Sequence, residues 1–338
     1  MSAVDVQPDL EMTVQFSRLF RLASMLAVSA CALNVSAQNW PSKPIKLITS
    51  AAPGGIVDIY ARRHQPHLQG ELGQPILVEN KPGASGAIAG DAAAKADPDG
   101  HTLFMGSQNE LGLIGQLGVP VRYDPVKDFS AVGLTIAGYP ILMVNAQLGV
   151  KNVSELVAYM KAKNTSLDCG GSGTATIGHF VCAAFAVRTG TKVQYVPYKT
   201  NVPAMTDAAS GQVQLVSAFY SEVAPFINSG KLIPLGVFGA TRLPLLPNVP
   251  TMEEQGLKDL ELQSYTVYAV PTGTPVAVQR RLNAAIVKAA NHPDVMDKVK
   301  AAGGVYFDMN LEETQAWQKR IQSRWNNIVQ ETGIKLDK

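Results

Sequence analysis

Residues 45–62 read IKLITSAAPGGIVDIYAR, and this stretch decides the fold class. Positions 45–49 form an apolar run typical of a buried strand, PGG at 53–55 is a turn, and 58–72 has the pattern of a helix that ends at Gly73. A strand, a glycine turn and a helix in that order direct unpaired main-chain N–H groups toward one point. Such a point attracts a carboxylate or a phosphate without any catalytic side chain.

The same alternation of strand and helix continues along the chain. Further strands are predicted at 76–78, 102–105, 141–144, 193–196, 213–218, 235–238 and 265–269, and further helices at 87–96, 154–163, 179–190, 202–209 and across much of 276–332. This rhythm is typical of parallel sheets with helices on both faces, which bind ligands at the carboxyl ends of their strands.

The order of these elements suggests that one domain is inserted into another. The interpretation assigns residues 38–141 and 266–338 to lobe 1 and residues 142–265 to lobe 2. Two chain crossings between the lobes would form a hinge.

Composition and charge exclude some classes of protein. With 46% apolar and 17% charged residues among 338, the chain is not disordered throughout. The 29 basic and 27 acidic residues give a net charge of +2, and no basic block is present, so no nucleic-acid partner is expected.

Residues 1–37 are interpreted as a signal peptide that is removed on export. Arg18 and Arg21 supply the positive region, and the apolar run 22–35 is too short to span a bilayer. Small residues at 35–37 suit cleavage before Gln38. The mature protein is therefore expected to be periplasmic.

Two alternatives for this N-terminal region remain open. An amphipathic helix would also fit, and the motif that ends at Cys31 resembles a site for lipid anchoring. Because the residues before Met12 are polar, translation could also start at Met12.

Cys169 and Cys182 remain after the leader is removed. An even pair in an oxidising compartment predicts a disulfide, which stabilises by about 2–4 kcal/mol. Two buried free thiols are the alternative. The spacing fits neither a redox motif nor a zinc site.

Four glycine-containing loops supply the candidate site, at 52–58, 80–86, 106–110 and 170–175, and the first three of them follow predicted strands. Each could also be an ordinary turn. The first and fourth loops are counterparts on the two lobes, and together they would clamp both oxygens of one carboxylate. The candidate ligand-binding residues are Pro53, Gly54, Gly55, Ile56, Asp58, Ser85, Gly86, Ser107, Gln108, Gly173, Thr174, Ala175, Tyr198 and Phe219.

Some of these candidates have a structural alternative. Asp58 is expected to orient the helix start rather than to touch an anion, and Tyr198 and Phe219 could belong to the core. His179 could be structural or line the cleft. His64 and His67 are expected on a solvated helix face and not in a metal site, because no carboxylate lies beside them in the sequence.

Motifs of catalysis are missing from the sequence. It contains no G-x-S-x-G elbow and no G-x-x-x-x-G-K-S/T loop, and its glycine spacing does not match a dinucleotide fingerprint. No nucleophile with a positioned base is evident. We therefore expect neither an enzyme nor a cofactor or metal.

An ordered set of motifs covers nearly all of the mature chain. They are WPSKPI at 40–45, PGG-x-x-D-x-x-AR at 53–62, LGQP at 72–75, VENKPGASG at 78–86, PDG at 98–100, YDPVKDF at 123–129, VPYK at 196–199, GQV at 211–213, PNVPT at 247–251 and GTP at 273–275. In this set the chain resembles the periplasmic solute receptors of tripartite tricarboxylate transporters, the Bug-type receptors.

The resemblance implies an α/β periplasmic binding protein whose two lobes close like a flytrap, each with a mostly parallel sheet flanked by helices. It implies a carboxylate held between the first and fourth loops by Pro53, Gly54, Gly55, Gly173, Thr174 and Ala175. It also implies delivery to a membrane permease of a large and a small subunit, and we expect a monomer. A ligand-presenting subunit for a membrane sensor kinase is the alternative function.

Two departures from the family pattern bear on the ligand. Many relatives carry a hydroxyl residue after the glycine pair, where this chain has Ile56 and Val57. Many have an acidic or amide residue in the strand that follows 211–213, where this chain has SAFY at 217–220. A more apolar pocket disfavours a ligand with many hydroxyls, so an aromatic or aliphatic carboxylate is predicted over citrate or a charged amino acid.

Overall fold

The computed structural model describes residues 40–335. They fall into two units, one that ends at Ser42 and one that begins at Lys43, and every described helix and strand lies in the second. The predicted signal peptide, 1–37, lies outside the described residues. No helix in the described range has the length and apolarity that a membrane span requires.

The first sheet has five strands in the order β2-β1-β3-β10-β4. They are β1 (Ile45–Thr49), β2 (Ile76–Asn80), β3 (Thr102–Ser107), β4 (Phe129–Gly138) and β10 (Ser264–Pro271). β1 pairs in parallel with β2 and β3, whereas β10 runs antiparallel to β3 and β4. This sheet is therefore mixed, because β10 enters it from the opposite end.

The second sheet repeats this plan in the order β7-β6-β8-β5-β9. Its strands are β5 (Ile141–Asn145), β6 (Ser166–Ser172), β7 (Lys192–Tyr198), β8 (Leu215–Ala218) and β9 (Leu232–Val237). β6 is parallel to β7 and β8, and β5 is antiparallel to β8 and β9. The predicted α/β class with two lobes is confirmed. The structure also has a feature that was not predicted: one strand in each sheet, β10 or β5, runs antiparallel to its neighbours.

Nine α-helices in the described range cover these sheets. They are α1 (Ile56–Leu72), α2 (Ala87–Ala94), α3 (Val153–Lys163), α4 (Ile177–Thr189), α5 (Asn201–Ser210), α6 (Tyr220–Asn228), α7 (Val276–Ala290), α8 (Pro293–Ala301) and α9 (Leu311–Thr332). Their ends follow local chemistry: α1 and α4 stop at Gly73 and Gly190 in the left-handed region, at φ 70° and 62°. α9 begins with a capping box made by Asn310 and Glu313.

The chain passes from the first sheet to the second between β4 and β5 and returns between β9 and β10. The lobe boundaries at 141 and 265 remain a prediction. The structure shows which strands belong to which sheet, and this does not fix the residues at which one lobe ends and the other begins.

α9 joins the two halves of the core. It packs along β4 of the first sheet and against α4 beside the second sheet. Trp325 of α9 meets Phe180 of α4 edge to face, with ring centroids 5.3 Å apart. At the other end of α4, Arg188 forms a two-pronged ion pair with Glu331. α9 therefore contacts α4 in both its first and its last turn.

Candidate ligand-binding cleft

The carboxyl ends of strands from both sheets line two neighbouring cavities. Loops after β1, β2 and β3 contribute from the first sheet, and loops after β6, β7 and β8 contribute from the second. The smaller cavity has a volume of about 470 Å³ and the larger one about 560 Å³. Gln108 lines both, so the two cavities adjoin.

Two opposed groups of loops form the smaller cavity. One side is lined by Ser50, Ser85, Gly86 and Gln108. The other side is lined by Thr174, Ala175, Thr176 and Ile177. Four of the residues predicted to bind the ligand, Ser85, Gly86, Thr174 and Ala175, thus face one space together with Gln108.

Unbonded main-chain donors collect where α4 begins. In the loop before it, the N–H of Gly173 donates to the carbonyl of Tyr198 at 2.9 Å, and the N–H of Ala175 donates to Nδ1 of His179 at 3.1 Å. Within the described residues, no acceptor is present for the N–H groups of Thr174, Thr176, Ile177 and Gly178. With the helix dipole behind them, these donors suit an anion.

The backbone of this loop is held in an unusual conformation. Gly173 has φ +71° and Ala175 has φ +54°, which is rare for a residue with a side chain. Tyr195 supports the loop, because its hydroxyl donates to the carbonyl of Gly173 at 2.8 Å. His179 stacks on Tyr195 with ring centroids 4.2 Å apart, and burial lowers the pKa of its imidazole. His179 therefore has a structural role in shaping the loop.

Glu110 ties together the loops on the opposite side. Its buried carboxylate accepts hydrogen bonds from the hydroxyls of Ser50 and Ser107 and from the N–H of Ser107. Gly86, at φ +95°, lies directly against it, and a Cβ there would collide with the carboxylate. These contacts fix the ends of β1 and β3 and the turn at Ala84–Gly86 relative to one another.

The larger cavity has a mainly apolar and aromatic wall. Val57 and Tyr60 of α1, Ile136, Phe219 and Tyr265 provide it. Polar groups from Ser107, Gln108, Asn201, Ser221, Glu222, Ser264 and Thr266 are spread among them. Sequence reasoning identified Ser107, Gln108 and Phe219 but missed the rest, although Asn201 and Ser221 follow strand ends in the same way as the predicted loops.

Cationic side chains do not line either cavity within the described part of the chain. Their two carboxylates, Glu110 and Glu222, are occupied by internal donors; Glu222 accepts from the Asn201 amide and from the N–H of Phe219. An anionic ligand would therefore depend on main-chain and hydroxyl donors.

In the glycine turn before α1, unlike the loop before α4, the main-chain N–H groups of both glycines bind acceptors within the protein. The N–H of Gly54 donates to the carboxylate of Asp58 at 2.9 Å, and the N–H of Gly55 donates to the carbonyl of Ala52 at 2.9 Å. Pro53, Gly54, Gly55 and Asp58 line neither cavity, and the side chain of Ile56 lies outside the described residues. In this conformation α1 reaches the cleft through Val57 and Tyr60.

Asp58 is the anchor of this turn. It is buried, and its carboxylate also accepts from the side chains of Arg62 and Asn80. Burial raises the pKa of Asp58, but the hydrogen bonds from Arg62, Gly54 and Asn80 outweigh burial and bring the pKa down to about 2. Asp58 thus orients the start of α1.

Tyr198 also lines neither cavity. Its hydroxyl donates to Asp207 at 2.8 Å, and burial together with this partner raises the pKa of Tyr198 to about 12.

Cys169 and Cys182 form a disulfide that connects β6 to α4 behind the loop, with Cα atoms 6.2 Å apart.

The expectation for the two helix histidines needs correction. His64 is only 1% exposed and packs edge to face on Tyr268 of β10, because this side of α1 faces the sheet. His67 does have a neighbouring carboxylate, Asp294, at 3.1 Å. The sequence could not show that contact, since the two residues are 227 positions apart.

Comparison with known proteins identifies the relatives of this architecture. Residues 60–334 match the model of the tripartite tricarboxylate transporter family receptor, TctC. A solute-binding protein of that kind from Polaromonas, solved without ligand, is similar with a TM-score of 0.78 and 25% identity, covering 86% of this chain and 99% of that one.

Two similar proteins from Rhodopseudomonas palustris were solved with carboxylates. One, with adipate, has a TM-score of 0.68 and 27% identity and covers 88% of this chain and 99% of its own. The other, MatC with bound malate, has a TM-score of 0.66 and 28% identity and covers 86% of this chain and 100% of its own. The predicted resemblance is confirmed, and these relatives are receptors rather than enzymes.

Proposed function

This chain belongs to the tripartite tricarboxylate transporter receptor family, and we propose that it captures a small carboxylate between its lobes in the periplasm and delivers it to a membrane permease of a large and a small subunit. One observation carries the proposal most strongly. The unbonded N–H groups at the start of α4 belong to a loop that lines a cavity, and that cavity's opposite wall comes from the loops after β1, β2 and β3.

The proposed binding mode uses both lobes. The ligand carboxylate accepts from the main chain around Thr176 and Ile177, while Ser85, Gly86 and Gln108 approach from the other side. Charge-assisted hydrogen bonds of this kind contribute about 1.5–3 kcal/mol each in a site that excludes water. Closure supplies affinity because the two sets of groups meet the ligand only in the shut state.

The rest of the ligand extends into the larger cavity. Its wall of Val57, Tyr60, Ile136 and Phe219 favours an aliphatic or aromatic body. Citrate would bury two further carboxylates and a hydroxyl there, whereas adipate buries one further carboxylate, and no cationic side chain in the described residues lines either cavity to pair with them. The adipate-bound relative has an aliphatic ligand of this type; malate, in MatC, adds a hydroxyl, so ligand choice varies within the family.

A thermal-shift screen of the mature protein from Gln38 tests the proposed ligand class. Adipate and benzoate should raise the melting temperature more than citrate, malate or glutamate do. Adipamide, which matches adipate in shape but has no carboxylate, serves as the control and should have little effect. Equal stabilisation by adipamide would contradict carboxylate capture, and stronger stabilisation by citrate would reverse the ligand class.

Transport and sensing share the same cleft and need a separate experiment. A strain lacking this chain should lose uptake of the stabilising acid. Intact uptake with loss only of the transcriptional response to that acid would instead favour presentation to a membrane sensor kinase.

A further inference from the structure

His67, His292 and Asp294 form a compact cluster outside the cleft. His67 lies on α1, His292 immediately precedes α8, and Asp294 lies in the first turn of α8. One potential ligand atom from each lies within 4.8 Å of the other two. None of the three residues lines either cleft cavity.

The donor atoms converge on the carboxylate. Nε2 of His67 lies 3.1 Å from Oδ1 and 3.3 Å from Oδ2 of Asp294. Nδ1 of His292 contacts Oδ1 of the same carboxylate. The two imidazole rings stack at an interplanar angle of 23°, with centroids 3.8 Å apart, so one ring has to rotate for both nitrogens to point at a single ion.

We propose that His67, His292 and Asp294 bind one zinc ion, with water at the fourth position. Imidazole nitrogen and carboxylate oxygen are ordinary zinc ligands, and neighbouring ligand atoms of a tetrahedral zinc site lie about 3.3–3.5 Å apart. The separations of His67 from Asp294 are already close to that value. Two imidazoles disfavour magnesium and calcium, which prefer oxygen ligands.

Two sources of positive potential lie near the cluster, and both oppose zinc binding only weakly. Arg63 lies nearby, with its Nη1 3.4 Å from the main-chain carbonyl of Asp294, and the dipole of α8 also disfavours positive charge at this end. Both effects act through a partly exposed site, because the side chains of His292 and Asp294 are 51% and 56% exposed. Coordination by an anionic carboxylate and two imidazoles outweighs such screened repulsion.

The consequence of zinc binding would be a bridge between helices. α1 begins at the cleft, whereas α8 packs against α7. A metal that joins His67 to His292 and Asp294 would fix the far end of α1. The site would stabilise the lobe, without zinc entering the carboxylate cleft.

Zinc titration of the tag-free mature protein against a competing zinc indicator tests this proposal. We expect one zinc per chain, and we expect His292→Ala and Asp294→Asn each to weaken zinc binding by about tenfold or more. Asp297→Asn is the matched control, because Asp297 is an exposed carboxylate on the same helix outside the cluster. Its zinc affinity should equal that of the wild type.

A melting experiment gives a second readout. Zinc should raise the melting temperature of the wild type and of Asp297→Asn but not that of Asp294→Asn, and magnesium should raise none of them. The proposal is overturned if the wild type binds no zinc, or if the cluster variants bind it as tightly as the wild type. Carboxylate affinity of the zinc-free protein reports on the cleft separately, so failure here leaves the proposed function untouched.

Discussion

Ile177 is the residue at which the role of a single main-chain N–H can be isolated. It is the first residue of α4, where proline is well tolerated, and Thr176 before it has the extended backbone that precedes proline readily. Ile177→Pro should therefore keep the helix and remove one donor from the smaller cavity. We expect carboxylate affinity to fall roughly tenfold or more, measured by calorimetry.

Ile177→Ala is the control for this change, because it removes the same side chain and keeps the N–H. Its affinity should stay close to that of the wild type. If the alanine and proline variants lose affinity equally, the side chain and not the main-chain donor is responsible, and the proposed binding mode is wrong at this residue.

His64 should make stability depend on pH. Burial lowers the pKa of its imidazole from 6.5 to about 4 in the folded protein. The unfolded chain takes up this proton at the higher pH, so the stabilisation is complete above pH 6.5 and is lost as the pH falls toward 4. Between pH 6.5 and about 5 the free energy of unfolding should fall by about 2 kcal/mol from this residue.

Urea denaturation of His64→Leu and wild type at the two pH values measures that contribution. The variant should lose less stability on acidification than the wild type does. Parallel losses in wild type and His64→Leu would show that His64 does not carry this pH dependence.

At the scale of elements, the connection between β6 and α4 has a covalent component. The disulfide between Cys169 and Cys182 spans 13 positions and is buried behind the loop that presents the free donors. Replacing both cysteines with alanine should lower the free energy of unfolding by about 2–4 kcal/mol. Non-reducing urea denaturation measures the change.

Wild type denatured with a reducing agent is the companion experiment, and it should approach the double variant. An unchanged unfolding midpoint in both cases would mean that packing alone holds α4 on β6. Carboxylate affinity measured on the same samples then shows whether the disulfide also affects the conformation of the loop before α4.

Several elements were predictable because their signals are local. Apolar runs bounded by glycine or proline predicted β1, β2 and β3, and Gly73 predicted the end of α1. β4 was missed because Ser130 and Gly133 interrupt its apolar pattern. α6 was missed because it is short and contains Pro225. The antiparallel entries of β5 and β10 depend on how the chain crosses between sheets, which no local pattern records.

The candidate site was predictable only in part. Glycine loops after strand ends indicated Gly86, Thr174 and Ala175, because the carboxyl edge of a sheet gathers such loops. The sequence could not tell that Asp58 would occupy the N–H of Gly54, nor that Tyr60 and Tyr265 would meet in one wall. Those contacts depend on side-chain positions in three dimensions.

For the whole molecule, α9 is the element that connects the two sheets. It packs along β4 of the first sheet and contacts α4 near both ends, through Trp325 on Phe180 in the first turn and through Glu331 on Arg188 in the last turn. None of these four side chains lines either cavity, so we expect them to keep their contacts when a ligand binds.

A crystal structure of the mature protein with the most stabilising acid tests the central claim most directly. The account predicts a closed form in which carboxylate oxygens lie about 2.7–3.1 Å from main-chain nitrogens at 176–178, with the loops after β2 and β3 touching the same ligand. A ligand that contacts only one lobe, or a carboxylate bound away from the start of α4, would contradict it.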